Sequence, residues 1–131
     1  MKGILLVSHG GMAAGTLDSI KVFFGNYIEG IDVLSLEHED SPEFFLEQLS
    51  EKVRSLDDGE GVIVFADLLG GTPANVTVRI MEENKVDLIS GMNLGMIMEC
   101  LGARMSGEIN LESIMDAGKQ SIQHINKLLK K

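Results

Sequence analysis

Two short stretches of this chain carry residue types that could do covalent chemistry. The first is Ser8-His9-Gly10-Gly11, where the apolar run "GILLVS" ends in an imidazole and two glycines. The second is Asp67-Leu68-Leu69-Gly70-Gly71-Thr72-Pro73, which closes the run "GVIVFAD". A histidine nitrogen is a good nucleophile near neutral pH, with an ordinary pKa of about 6.5. A carboxylate bonded to the other ring nitrogen fixes the tautomer and raises basicity. It also stabilises the positive charge that develops when the free nitrogen attacks an electrophile. Gly70 and Gly71 leave backbone N–H groups accessible, Gly10 does the same beside His9, and Thr72 adds a hydroxyl. Together with the N-terminus of a following helix, such groups make an anion site. A nucleophilic His9, an orienting Asp67 and an anion cradle suit phosphoryl transfer through phosphohistidine.

The other candidates point elsewhere. His38 lies in the polar loop "LEHEDS", where Glu37, Glu39 and Asp40 have no spacing that selects a metal. His124 falls off the apolar stripe of "SIQHINKLLKK" and reads as a surface residue. Cys100 sits in apolar "MIMECLG" and reads as a buried structural thiol. A single cysteine cannot form an internal disulfide, which fits a reducing compartment. Met92, Met96, Met98 and Met105 read as packing residues. No Walker lysine pattern and no G-x-G-x-x-G is present, so the common nucleotide-binding motifs are missing. The reading requires no metal and no cofactor.

These residues need a scaffold, and the periodicity supplies one. Strands are expected at Gly3–Ser8, Ile31–Leu36, Gly61–Asp67 and Val86–Ser90. Between them lie helical patterns. Met12–Phe24 carries Leu17, Ile20, Phe23 and Phe24 on one face. Ser41-Pro42 reads as a cap and first turn, followed by Phe45, Leu46, Leu49, Val53 and Leu56 at helical spacing. Thr72 is expected to cap a third helix with Pro73 in its first position. Asn93–Arg104 is apolar nearly all round and reads as a buried helix. "SGEIN" reads as a turn or a short edge strand. Asn110 is expected to cap a last helix with Leu111, Ile114, Met115, Ile122, Ile125 and Leu129 facing inward. Alternation of this kind implies an α/β fold with a mostly parallel central sheet and helices on both faces. In the flavodoxin-like order, strands one and three flank the switch point, which brings His9 and Asp67 to one crevice.

The 131 residues are expected to form one domain, 1–131. No run approaches a membrane span, and "MKGILLV" is too short for a signal peptide, so a cytoplasmic location is expected. The formal net charge of −9 disfavours nucleic acid and anionic lipid as partners and favours a basic protein.

At "GILLVSHG", "VIVFADLLGGTPANV" and "VDLISGMNLGMIME" the chain resembles the mannose-family EIIA component of bacterial phosphoenolpyruvate-dependent sugar phosphotransferase systems. Aspartate followed by G-G-[ST]-P-x-N after a buried strand is the most specific part. The resemblance implies a phosphocarrier step: HPr phosphorylates His9, and the group passes to a histidine of an EIIB partner. It assigns the orienting role to Asp67 and a phosphate-ligand role to Thr72, a position often occupied by serine. It also implies a homodimer that exchanges a C-terminal edge element, with the membrane reached only through the transporter subunits. Many relatives continue into a linker and an EIIB domain. This chain stops at Lys131, so a free-standing EIIA subunit is expected.

Two other readings use the same crevice. In one, Asp67 is the phosphoryl acceptor of an aspartyl-phosphate receiver. Such receivers need an acidic pair at the end of strand one to hold a divalent cation, and Ser8-His9 stands there. In the other, the crevice is a non-catalytic anion-binding or scaffold module that forms no covalent bond.

Overall fold

The structure is a computed structural model that describes residues 1–131. The element order is β1 (Gly3–His9), α1 (Met12–Phe24), β2 (Ile31–Leu36), α2 (Pro42–Leu56), β3 (Val62–Ala66), α3 (Thr72–Val78), β4 (Val86–Ile89), α4 (Leu94–Ser106), α5 (Leu111–Gln120) and α6 (Ile125–Leu129). Two compact units divide it. Met1–Met92 holds the whole sheet with α1 to α3, and Asn93–Lys131 holds α4 to α6.

All four strands are parallel, in the order β2-β1-β3-β4. This is the α/β fold, with the flavodoxin-like order expected. The chain steps from β1 outward to β2, then crosses back to β3 and onward to β4. Right-handed crossovers therefore put α1 on one face and α2 and α3 on the other. β1 and β3 are central, which is why both read as unbroken apolar runs rather than alternating ones.

Strand alternation divides the core. Leu5, Val7, Val62, Val64 and Ala66 pack with Phe45, Leu49 and Val53 of α2 and with Ala74 and Val76 of α3. Ile4, Leu6, Ile63 and Phe65 alternate with them and are fully buried, as are Ala13 and Ile20 of α1. The same parity sends Ser8 toward α1 and His9 toward α3.

Local chemistry explains the helix starts. Ser41 accepts a hydrogen bond from the Phe44 N–H at 3.1 Å, and Pro42 occupies the first turn, where its missing donor costs nothing. Asn93 and Asn110 cap α4 and α5 in the same way, accepting from the Met96 and Ser113 N–H groups.

Several expectations change. Gly71, not Thr72, is the N-cap of α3; Thr72 is its first residue and Pro73 its second. Phe23 is 60% exposed, because α1 buries only Ala13 and Ile20 fully and leaves Leu17 and Phe24 half-buried. "SGEIN" forms no strand: Gly107 ends α4 in a left-handed conformation and the chain runs through a loop to Asn110. The last helix breaks after Gln120. α6 restarts at Ile125, so Ile122, Ile125 and Leu129 are exposed instead of inward-facing. Met92 and Met96 are buried as expected, whereas Met105 is exposed. Cys100 is fully buried, and desolvation pushes its thiol up to about 11 against a smaller opposing effect of Arg104.

Candidate active site

β1 and β3 are hydrogen-bonded neighbours, with Val7 paired to Ala66. Their carboxyl ends therefore emerge side by side, and the Asp67 N–H continues the ladder to the Val7 carbonyl at 3.2 Å. His9 and Asp67 meet there, 58 positions apart in sequence. The His9 ring Nδ1 lies 2.7 Å from Asp67 Oδ2, and the His9 backbone N–H donates to the same oxygen at 2.9 Å. Asp67 Oδ1 accepts the Leu68 N–H at 3.0 Å.

Electrostatics settle the tautomer. Burial works to raise the Asp67 carboxyl, but the bonds from the His9 backbone, the His9 ring and Leu68 together outweigh it. The result is a carboxyl held below its ordinary value. Asp67 is thus an ionised acceptor at neutral pH, and an acceptor facing Nδ1 requires Nδ1 to carry the proton. Nε2 points away from Asp67 and has no protein hydrogen-bond partner. The His9 side chain is 46% exposed while that of Asp67 is 7% exposed. The imidazole faces solvent, and the carboxylate bonded to it does not.

The second loop presses against the ring. A Cβ on Gly71 would stand 2.6 Å from His9 Cε1 and 3.3 Å from Nε2. A side chain at this position would displace the imidazole, whereas the backbone raises no objection, since its φ of −84° is one any residue adopts. Gly70, by contrast, has a φ of +85°, and Gly10 a φ of +54°, in the left-handed region that favours glycine. Gly10, Gly70 and Gly71 thus allow both loops to turn beside the ring, and Thr72 follows Gly71 as the first residue of α3.

Two residues with clear local roles escaped sequence reasoning. The Asn75 side chain donates to the Gly70 carbonyl at 3.1 Å, closing the loop on itself. Its fixed place in G-G-T-P-x-N was a usable signal. Ser8 is fully buried; its hydroxyl accepts the Ala13 N–H at 2.7 Å and donates to the Gly10 carbonyl at 3.1 Å. Polar Ser8 at the end of an apolar strand was the corresponding signal. His38 and His124 are both exposed and remote in sequence from the pair. No three His, Cys, Asp or Glu side chains converge into a metal-holding group.

Residues 3–117 match the EIIA-man family, described as "PTS system fructose IIA component". The chain belongs to this family. The family is that of the EIIA components of sugar phosphotransferase systems. It is 28% identical over 102 residues to the mannose-specific EIIAB component of Escherichia coli strain K12, a stretch that spans 77% of this chain and 31% of that one. The chain therefore corresponds to less than a third of the length of that relative. It is 24% identical to the fructose-specific EIIA component of Bacillus subtilis strain 168, across 100% of this chain and 91% of the other. Among solved structures, a PTS IIA protein associated with the fucose utilization operon of Streptococcus pneumoniae superposes with a TM-score of 0.89 at 30% identity, covering 98% and 96% of the two chains. The mannose/sorbose-specific IIA subunit of Enterococcus faecalis superposes at 0.80 with 27% identity and 94% of each chain covered. In this EIIA chain the His9–Asp67 pair lies at the carboxyl edge of the sheet. No helix of this EIIA chain is long and apolar enough to cross a membrane.

Proposed function

We propose that this EIIA component accepts a phosphoryl group on His9 Nε2 from phosphorylated HPr and passes it to a histidine of an EIIB partner. The observation that carries the reading is the 2.7 Å contact between His9 Nδ1 and Asp67, which leaves Nε2 free and facing solvent. In the first step a bond forms between Nε2 and phosphorus while the donor's nitrogen–phosphorus bond breaks. The Nδ1 proton stays on the ring. Positive charge appears on the imidazole, and the Asp67 carboxylate stabilises it at short range. Backbone N–H groups of Gly70 and Gly71 and the hydroxyl of Thr72 are the groups assigned to hold the phosphoryl oxygens; the Gly10 N–H, expected to join them, instead donates to the Leu36 carbonyl at 2.9 Å. The second step reverses these events onto EIIB.

The receiver reading gains nothing from this geometry. Both Asp67 oxygens are engaged by N–H donors and its side chain is nearly inaccessible, which suits an orienting group. The fold as a single functional EIIA domain, its cytoplasmic location and its homodimeric state belong to the same proposal. Exposed Ile122, Ile125, Leu128 and Leu129 support a dimer by offering apolar surface for a second copy; light scattering that returns a monomer mass at micromolar concentration refutes it.

The test of the main reading is intact-mass analysis after incubation with Enzyme I, HPr and phosphoenolpyruvate. One acid-labile, alkali-stable phosphoryl group is expected. His9→Ala removes it, and His38→Ala and His124→Ala retain it. An unchanged mass in the parent protein would favour the scaffold reading, and label surviving in His9→Ala would remove the assignment.

A further inference from the structure

Ser8 is fully buried and alternates away from His9, toward α1. Its hydroxyl makes two bonds that span the nucleophile. It accepts the Ala13 N–H at 2.7 Å and donates to the Gly10 carbonyl at 3.1 Å. The N-cap of α1 is Gly11, which has no side chain to satisfy the first-turn donors. Ser8 supplies that oxygen from three positions upstream. The same hydroxyl holds the carbonyl of Gly10, whose φ is +54°. The Gly10 N–H donates to the Leu36 carbonyl at 2.9 Å, and the His9 N–H donates to Asp67 at 2.9 Å. The two peptide groups flanking His9 Cα are therefore anchored to Asp67 and to β2, and the next one along, Gly10–Gly11, is anchored through Ser8 to α1.

We propose that Ser8 is a positioning residue for His9: by tying the Gly10 carbonyl to the Ala13 N–H, its hydroxyl sets the peptide geometry that keeps Nδ1 on Asp67 and Nε2 pointed outward. The proposal rests on His9 being the phosphoryl acceptor. It differs from a mere helix cap in what it moves. A cap affects stability alone, whereas a positioning residue affects the ring. A displacement of the order of 1 Å at a reacting centre costs up to about 100-fold in rate.

The matched pair Ser8→Thr and Ser8→Val shares a shape and differs in the hydroxyl, so packing effects cancel between them. Ser8→Ala adds the smaller change. Ring nitrogen chemical shifts of ¹⁵N-labelled His9 report the tautomer, thermal melts report folding, and transfer from phosphorylated HPr is split into kcat and KM. Ser8→Ala and Ser8→Val are expected to lose the single Nδ1–H tautomer and to lower kcat about 10- to 100-fold with KM unchanged. Ser8→Thr is expected to restore both. A wild-type tautomer and rate in a folded Ser8→Ala protein overturns the proposal, as does equal behaviour of the Thr and Val variants. Loss of a cooperative melt in both Ser8→Ala and Ser8→Val also overturns it, by making the hydroxyl a folding element. If the parent protein takes no phosphoryl group, the functional reading fails instead, and the ring shifts still decide the role of Ser8.

Discussion

Replacing Gly71 by alanine tests the active-site geometry with a single methyl group. That methyl carbon would stand 2.6 Å from His9 Cε1 and 3.3 Å from Nε2. Ordinary carbon–carbon contacts lie at about 3.5–4.0 Å, so the ring must withdraw by roughly 1 Å. The backbone at Gly71 raises no objection, since φ is −84° and ψ is 165°. The obstacle is an exposed side chain that can swing aside, so folding loses little. Loss of glycine flexibility in the unfolded chain offsets part of even that small cost. Activity has no such escape. Withdrawing the ring pulls Nδ1 from its 2.7 Å contact with Asp67 and turns Nε2 away from the loop that would hold the phosphoryl group. A misplacement of about 1 Å corresponds to a loss near 100-fold, or about 2.7 kcal/mol of barrier. The assay is single-turnover transfer from phosphorylated HPr, alongside thermal unfolding of both proteins. A melting temperature within a few degrees of the parent with a rate lowered by two orders of magnitude is expected. Transfer at the parental rate would refute the claim that Gly71 is kept small by the imidazole.

Asp67→Asn keeps the shape and removes the charge, so transfer should slow about 10²–10⁴-fold while the fold persists. The Asp67 carboxyl is held below its ordinary value, so the folded state binds fewer protons than the unfolded one through that range. Its contribution to stability is complete above about pH 4 and is lost as pH falls through the folded value; the melting difference between parent and Asp67→Asn should shrink on acidification below about pH 4. Gly15 lies inside α1, and a Cβ added there would meet nothing within 4 Å, so Gly15→Ala should stabilise the protein by about 0.5–1 kcal/mol in a denaturant titration. Cys100, buried and with its thiol raised to about 11, should resist alkylation at pH 8 until the protein unfolds; rapid labelling of the native protein would contradict its placement.

Periodicity and turn chemistry made most of the framework legible. β1 and β3 announce themselves as apolar runs because a central parallel strand must be apolar on both faces. α2 begins where Ser41-Pro42 predicts, because capping depends only on residues a few positions apart. The last helix was less legible. Its apolar stripe from Leu111 to Leu129 satisfies a helical repeat, yet the chain breaks at Ser121 and leaves Ile122, Ile125 and Leu129 exposed. Periodicity says which residues could share a face, but not whether a surface exists to cover it.

The site divides along the same line. Residue type alone nominated His9 and Asp67, since an imidazole and a carboxylate at strand ends carry their chemistry wherever they fold. The strand order then brought the two together, because β1 and β3 are neighbours only after the chain has crossed over twice. Three further facts belong to the tertiary structure alone. Nδ1, rather than Nε2, faces Asp67; the Gly71 backbone lies against the imidazole; and the Ser8 hydroxyl reaches Ala13 across the turn. Each is a distance between atoms brought together by folding, and a hydrogen bond or a steric contact is decided within a few tenths of an ångström. Sequence spacing specifies which groups are available, whereas the packing of β1 against β3 and α1 decides which of their atoms meet.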